Sequence, residues 1–193
     1  MPVVPEAPLE QTADGLLPAG DGWFVLNGRD AAWRRWEGMG KWPRLEGATP
    51  RFEQLGVGLT VLEPGEPMAM YHWETDQEDF LVLFGEALAI VEGEERPLRQ
   101  WDFLHCPPGA NHVIVGAGTR PCVVFAVGSR EKHTYRTPSG EIDGRDDWGA
   151  YTVHEAAQRH GAAPPEETSD ADVAYGHLPE RVRTRYQEGW LPG

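Results

Sequence analysis

Residues 65–85 read GEPMAMYHWETDQEDFLVLFG. In an extended strand, side chains two apart share a face, so on a strand over 68–74 His72 and Glu74 point together, with Met70 and Met68 behind them. Thr75, Asp76 and Gln77 make a tight connection, and Glu78 opens the next strand, over 78–84. Counting by twos, Glu78, Phe80, Val82 and Phe84 share one face, and Asp79, Leu81 and Leu83 the other. A carboxylate at one end of a face with bulky apolar groups below it is the pattern of a barrel interior with a polar mouth. If both strands line one barrel, His72, Glu74 and Glu78 converge at that mouth, and Met68, Met70, Phe80, Val82 and Phe84 form the wall of a substrate pocket.

Working outward, short apolar runs predict further strands at 56–63, 87–92, 96–99, 102–106, 111–116 and 121–127. They are punctuated by Pro64 and Gly65, Gly85, Gly93, Pro107 to Gly109 and Gly116 to Gly118. Closely spaced strands with nothing helical between them mean an antiparallel sandwich or barrel, not a βαβ fold. Leu81 and Leu83 alternate with Phe80 and Val82, as Val123, Phe125 and Val127 do with Cys122, Val124 and Ala126, so both faces of these strands must be covered. The barrel interior covers one face. An N-terminal strand, an aromatic tail or a second subunit must cover the other, which predicts a homodimer with strand or tail exchange.

The organisation expected is an N-terminal extension over 1–50, a barrel over 51–130 and a C-terminal extension over 131–193. The first 20 residues, rich in Pro, Gly and acid, read as mobile or draped. Trp23 to Leu26 reads as a strand stopped by Asn27 and Gly28, and 31–36 as a helical turn. Thr152 and Glu155 have capping-box spacing with Gly161 as a stop, predicting a helix near 153–160. Arg181, Arg183 and Arg185 precede Tyr186 and Trp190, a cationic aromatic tail suited to docking on its own body or on a partner subunit.

Composition excludes several classes of function. Seventeen Lys and Arg stand against 31 Asp and Glu, a net charge of −14, which repels phosphate backbones and anionic membranes. Two cysteines, Cys106 and Cys122, are too few for a disulfide scaffold, and neither a signal peptide nor a membrane-spanning run is visible, so a cytoplasmic protein is expected. Cys106 reads as packing, and His133, His154, His160 and His177 as surface residues.

A second stretch, 101–116, reads WDFLHCPPGANHVIVG, with Pro107 to Gly109 as a turn and His112 opening the strand that leaves it. Together the two stretches resemble the paired motifs of the cupin superfamily. Gly65, His72, Glu78 and Gly85 match the first motif, and Pro107, Gly109 and His112 the second. The resemblance covers roughly residues 55–128. It implies an all-β, double-stranded β-helix of jelly-roll type, usually dimeric, with a divalent metal held by His72, Glu78 and His112. Three positions depart from the pattern: Glu74 stands where a second His is usual, Trp101 where the motif has Gly, and Gly116 where it has Asn.

Two imidazoles and a carboxylate suit one divalent ion, Fe(II), Zn(II), Mn(II) or Ni(II). Glu74 is either a fourth ligand or a carboxylate placed for general-base work, and the sequence leaves both open. The function expected is a metal-binding barrel acting on a small organic molecule by dioxygenase, isomerase or lyase chemistry. The alternatives are a non-catalytic small-molecule sensor and a metal-free epimerase.

Overall fold

The structure, a computed structural model, describes residues 3–47, 52–130 and 148–193, together with the backbone of 135–136 and 142–143. In chain order the strands are β1 (Leu9–Thr12), β2 (Gly15–Pro18), β3 (Ala32–Trp36), β4 (Gly40–Pro43), β5 (Leu55–Leu62), β6 (His72–Glu74), β7 (Glu78–Phe84) and β8 (Glu86–Val91). They continue as β9 (Glu94–Arg99), β10 (Phe103–Cys106), β11 (His112–Ala117), β12 (Cys122–Ser129), β13 (Tyr135–Arg136), β14 (Ile142–Asp143) and β15 (Gly149–Tyr151). Helices α1 (Glu155–Arg159) and α2 (Ala171–Tyr175) and strand β16 (Val182–Arg185) complete the chain.

Strands β5 to β12 follow the alternation of the sequence closely, because each has a face to bury. They form two antiparallel sheets, ordered β10-β7-β12-β5-β4-β3-β16 and β15-β6-β11-β8-β9. Between the sheets lie Leu62, Phe80, Val82, Ala87, Cys106, Ile114, Cys122 and Val124, all buried. Residues one step out of phase face outward and are covered as well. Ile90, Val113 and Val115 of the second sheet pack against Ala156 and Ala157 of α1. On the first sheet, Val61 and Val123 pack against Trp33, with Tyr186, Trp190 and Leu191 of the tail beside them.

The tail is therefore a lid on its own barrel. Strand β16 pairs antiparallel with β3, Val182 opposite Arg35 and Arg185 opposite Ala32. The Trp33 ring lies 5.0 Å from that of Trp190 and 5.8 Å from that of Tyr186, centroid to centroid. Of the coverings expected for this face, the aromatic tail is one that the chain supplies itself.

Several expectations are corrected. Ala32–Trp36 form a strand, not a helical turn, because Trp33 to Trp36 pair with 40–43 on one side and Ala32 to Arg35 with β16 on the other. Trp23 to Leu26 is no strand: Trp23 makes an isolated bridge to Glu6, and Val25 stays 78% exposed. The first 20 residues carry the hairpin of β1 and β2. The 68–74 strand shrinks to 72–74, since the backbone donors before it go elsewhere: Met68 N to Ile114 O, Met70 N to the Tyr175 hydroxyl, Tyr71 N to Ala162 O. Helix α1 is capped by His154, whose Nδ1 accepts from the Ala156 N–H, and not by Thr152. His154 and His160 are half-buried, the latter 3.2 Å from Glu95, while His177 is exposed and His133 lies outside the described residues. No helix among the described residues is long and apolar enough to cross a membrane.

Candidate metal centre

His72 and His112 sit directly opposite each other on β6 and β11 of one sheet, while Glu78 opens β7 on the other. The three converge between the sheets. His112 Nε2 is 3.0 Å from Glu78 Oε2, and His72 Nε2 is 3.5 Å from the same oxygen. All three donor atoms lie within 4.8 Å of one another. Around one ion with bonds of about 2.1 Å, adjacent donors stand about 3.0 Å apart in octahedral and about 3.4 Å in tetrahedral geometry. The two measured spacings fall at those values.

The imidazole tautomers are fixed by the backbone. His72 Nδ1 lies 2.7 Å from Met70 O, and His112 Nδ1 2.9 Å from Ala110 O. A carbonyl oxygen only accepts, so each Nδ1 carries the proton and each Nε2 turns a lone pair toward Glu78. The Glu78 carboxylate also only accepts. A positive charge must stand between these groups, either a proton on each ring or one cation shared by all three. In the protein without a cation, protons take that place. Burial by itself lowers His72, but the Glu74 and Glu78 carboxylates more than offset it and hold the ring at about 10. Burial likewise lowers His112, and Cys106 and Glu78 hold it at about 9. Glu78 is held well below the usual carboxylate range: its burial acts upward, and its bonds to the two imidazoles prevail.

Glu74 stands differently. Its Oε1 is 3.6 Å from His72 Nε2, yet it does not belong to the group formed by His72, Glu78 and His112. It borders two cavities. One, of about 290 Å³, runs along Gly56, Gly58 and Gly128 to Arg130. The other, of about 230 Å³, holds the cluster itself, with Met68 and Phe80 on its wall as the strand parity implied. The remaining wall residues expected from parity lie elsewhere. Val82 is buried deeper in the core between the sheets, and Met70 packs against Trp36 and Met39. Phe84 lies on the outer face beside Val123. Its displacement has a local cause: β7 and β12 pair Val82 with Val124 but Phe84 with Val123, so Leu83 is an extra residue on β7. Such a β-bulge breaks the period of two. Cys106 faces inward opposite Glu78, buried in the core and in contact with His112, as packing requires.

The rest of the wall comes from the C-terminal extension. Trp148, Tyr151 and Tyr175 line the cavity of the cluster. The rings of Trp148 and Tyr151 lie 6.3 and 5.9 Å from that of His72. Burial pushes both phenols above their ordinary range, so both stay protonated. Nothing in the local sequence marks these residues, which stand more than 70 positions from His72.

Residues 58–128 match the cupin domain family. That stretch contains strands β6 to β11 and most of β5 and β12. The two sheets form the double-stranded β-helix of that family. At the two further departures from the cupin motifs the chain is constrained locally. Trp101 holds a left-handed backbone with φ of 76°, where the motif's Gly would be at ease. At Gly116 an added Cβ would stand 2.2 Å from Glu63 O, leaving no space for a side chain.

Among solved structures, the chain resembles a proposed sugar phosphate isomerase from Acidithiobacillus ferrooxidans, 28% identical over 47% of this chain and 65% of that one, with a TM-score of 0.40. This chain thus spans less than two thirds of that protein's length. A sugar phosphate isomerase of the cupin superfamily from Silicibacter pomeroyi is 25% identical over 64% of this chain and 85% of its own, with a TM-score of 0.44. A predicted oxalate decarboxylase from Thermotoga maritima is 17% identical over 55% and 98%, with a TM-score of 0.46. No curated protein matches the chain.

Proposed function

We propose that the chain is a metal-dependent enzyme that moves a proton on a small, oxygen-bearing organic molecule held in the barrel, chemistry of isomerase or lyase type. The position of Glu74 carries this reading: a carboxylate 3.6 Å from His72 Nε2 that borders both cavities but stands outside the three-residue donor group. His72, Glu78 and His112 would hold the cation, whose Lewis acidity acidifies a carbon next to a bound oxygen. Glu74 is then the proton acceptor, within reach of the substrate and separate from the ligands.

The walls support a substrate class. The cavity of the cluster is small for a ligand pocket, about 230 Å³, and has aromatic groups on one side. Its lining includes two carboxylates and, among the described residues, neither Lys nor Arg. That weighs against a phosphate and favours a neutral or singly charged hydroxy-carbonyl or hydroxy-acid. Arg130 stands in the adjoining cleft, but Glu46 occupies its guanidinium through contacts of 2.8 and 3.0 Å.

The test is solvent exchange. Protein loaded with Mn(II), Zn(II) or Fe(II) is incubated in D₂O with hydroxy-aldehydes, hydroxy-ketones and 2-hydroxy acids. The expected result is deuterium at the carbon beside the carbonyl, lost in Glu74→Gln while metal content stays unchanged. Oxygen uptake without exchange would replace this reading with a dioxygenase. Ligand binding with neither reaction would make the protein a sensor.

A further inference from the structure

Arginines gather where the first sheet ends at β16. The register places Arg183 of β16 directly opposite Arg34 of β3, and Arg34 opposite Trp42 of β4. Residues directly opposite on antiparallel strands point to one face. Arg44 follows β4, its N–H bonded to Ala32 O at 2.7 Å, and by alternation shares the face of Trp42. Trp36 shares the face of Arg34 in the same way, and the guanidinium of Arg181 lies 3.9 Å over the Trp36 ring. Four cations thus crowd one face of a chain whose net charge is −14.

Arginines elsewhere take carboxylate partners, as Arg130 does with Glu46 and Arg159 with Glu95. Among the described residues, Arg34, Arg44, Arg181 and Arg183 have neither a carboxylate at ion-pair distance nor an acceptor for their side-chain N–H groups. Arg34 and Arg44 are half-buried, and each guanidinium carries five donors. Burial, then Arg34 and Arg183, hold the Arg44 guanidinium below its ordinary range, and Asp14 of the β1–β2 turn acts the other way. Like charges directly opposite on neighbouring strands repel. Protection of an open sheet edge accounts for charges on β16, but Arg34 stands one strand further in and Arg44 at the end of the strand after that.

We propose that Arg34, Arg44, Arg181 and Arg183 bind a compact, soluble oligophosphate anion at a site outside the cavity of the donor cluster. Planar guanidinium forks match phosphate oxygens two at a time. Compactness follows from the distribution of charge. Beyond one Debye length, about 8 Å at physiological salt, a nucleic acid or an anionic membrane would meet the surface of an acidic protein, whereas a small anion stays within the patch. The inference does not depend on the metal reading.

The test is calorimetric titration of inorganic tripolyphosphate into the full chain, freed of metal by a chelator so that the probe has no cation to capture. One tripolyphosphate should bind per chain, more weakly at about 200 mM salt than at about 50 mM. Arg34→Gln and Arg183→Gln should each weaken it about tenfold. Asp14→Asn, which removes the competing carboxylate, should tighten it about threefold. Arg159→Gln, at an arginine already paired with Glu95, should leave it unchanged. A wild-type chain that does not bind tripolyphosphate at the lower salt overturns the inference, as does Arg183→Gln protein that binds like wild type. An equal loss in Arg159→Gln overturns it too, because general attraction would then replace a site. Tighter binding of a short single-stranded oligonucleotide than of tripolyphosphate overturns the assignment to a compact anion.

Discussion

A cation taken up by His72, Glu78 and His112 should expel protons, and the charge state of the two rings sets their number. Without an ion, His72 is held at about 10 and His112 at about 9, so both rings are charged at pH 7.5, while Glu78 is already ionised. Each ion bound should release about two protons; two ordinary imidazoles, with pKa near 6.5, would release about 0.2 in total. Apparent affinity should rise about a hundredfold per pH unit up to about 9, about tenfold per unit between 9 and 10, and then level. From pH 7 the gain is about two powers of ten from His112 and about three from His72, together ~7 kcal/mol at ~1.4 kcal/mol per tenfold. Stability follows the same linkage. A ring whose folded pKa lies above its unfolded value stabilises fully below about 6.5 and ceases to do so as pH rises through 9 to 10. The cation-free protein should lose stability across that window and the loaded protein should not. Zinc titration calorimetry at pH 7.5 in buffers of different ionisation enthalpy counts the protons. Fewer than one per ion would refute the reasoning, because the rings would then be neutral before the ion arrives.

Other perturbations separate site from scaffold. His72→Ala and His112→Ala should each reduce metal content well below one per chain by elemental analysis, whereas Glu74→Gln should retain it. Trp33→Ala removes a fully buried ring from beneath the tail and should cost about 3–5 kcal/mol by denaturant unfolding, with the metal site intact. Trp101→Gly deletes an equally large side chain, but one that is 67% exposed and held at φ of 76°. Relief of that backbone strain should leave stability unchanged or raised by up to about 1 kcal/mol in thermal unfolding.

The barrel was legible because its signal is local. Each strand from β5 to β12 declares itself within eight residues, and most of the turns between them carry Gly or Pro. His72, Glu78 and His112 were legible for the same reason, as parity and motif spacing survive in one dimension. What escaped depends on distant partners. Trp33 and Trp36 stand three apart, a helical spacing, and only pairing with 40–43 and 182–185 makes them a strand. Phe84 obeys parity up to Leu83, where a bulge visible only against β12 turns it outward. Trp148, Tyr151 and Tyr175 carry no motif and reach His72 only through the fold.

This division separates chemistry from specificity. The donor cluster spans both sheets, with two imidazoles from one and a carboxylate from the other, so closing the barrel is what assembles a group that could hold an ion. The sheets alone would leave that group open on the side of β6, a strand of three residues whose outer neighbour β15 belongs to the C-terminal extension. Pairing of Tyr151 with His72 across β15 and β6 brings the aromatic wall to the donor cluster, and the bond from Met70 N–H to Tyr175 fastens α2 behind it. The extension is thus a structural part of the site, tied by backbone bonds to the segment that carries His72. Sequence changes in 148–175 should alter which molecule is held while leaving metal content unchanged, and changes at 72, 78 or 112 should lower metal content and weaken binding of the molecule with it.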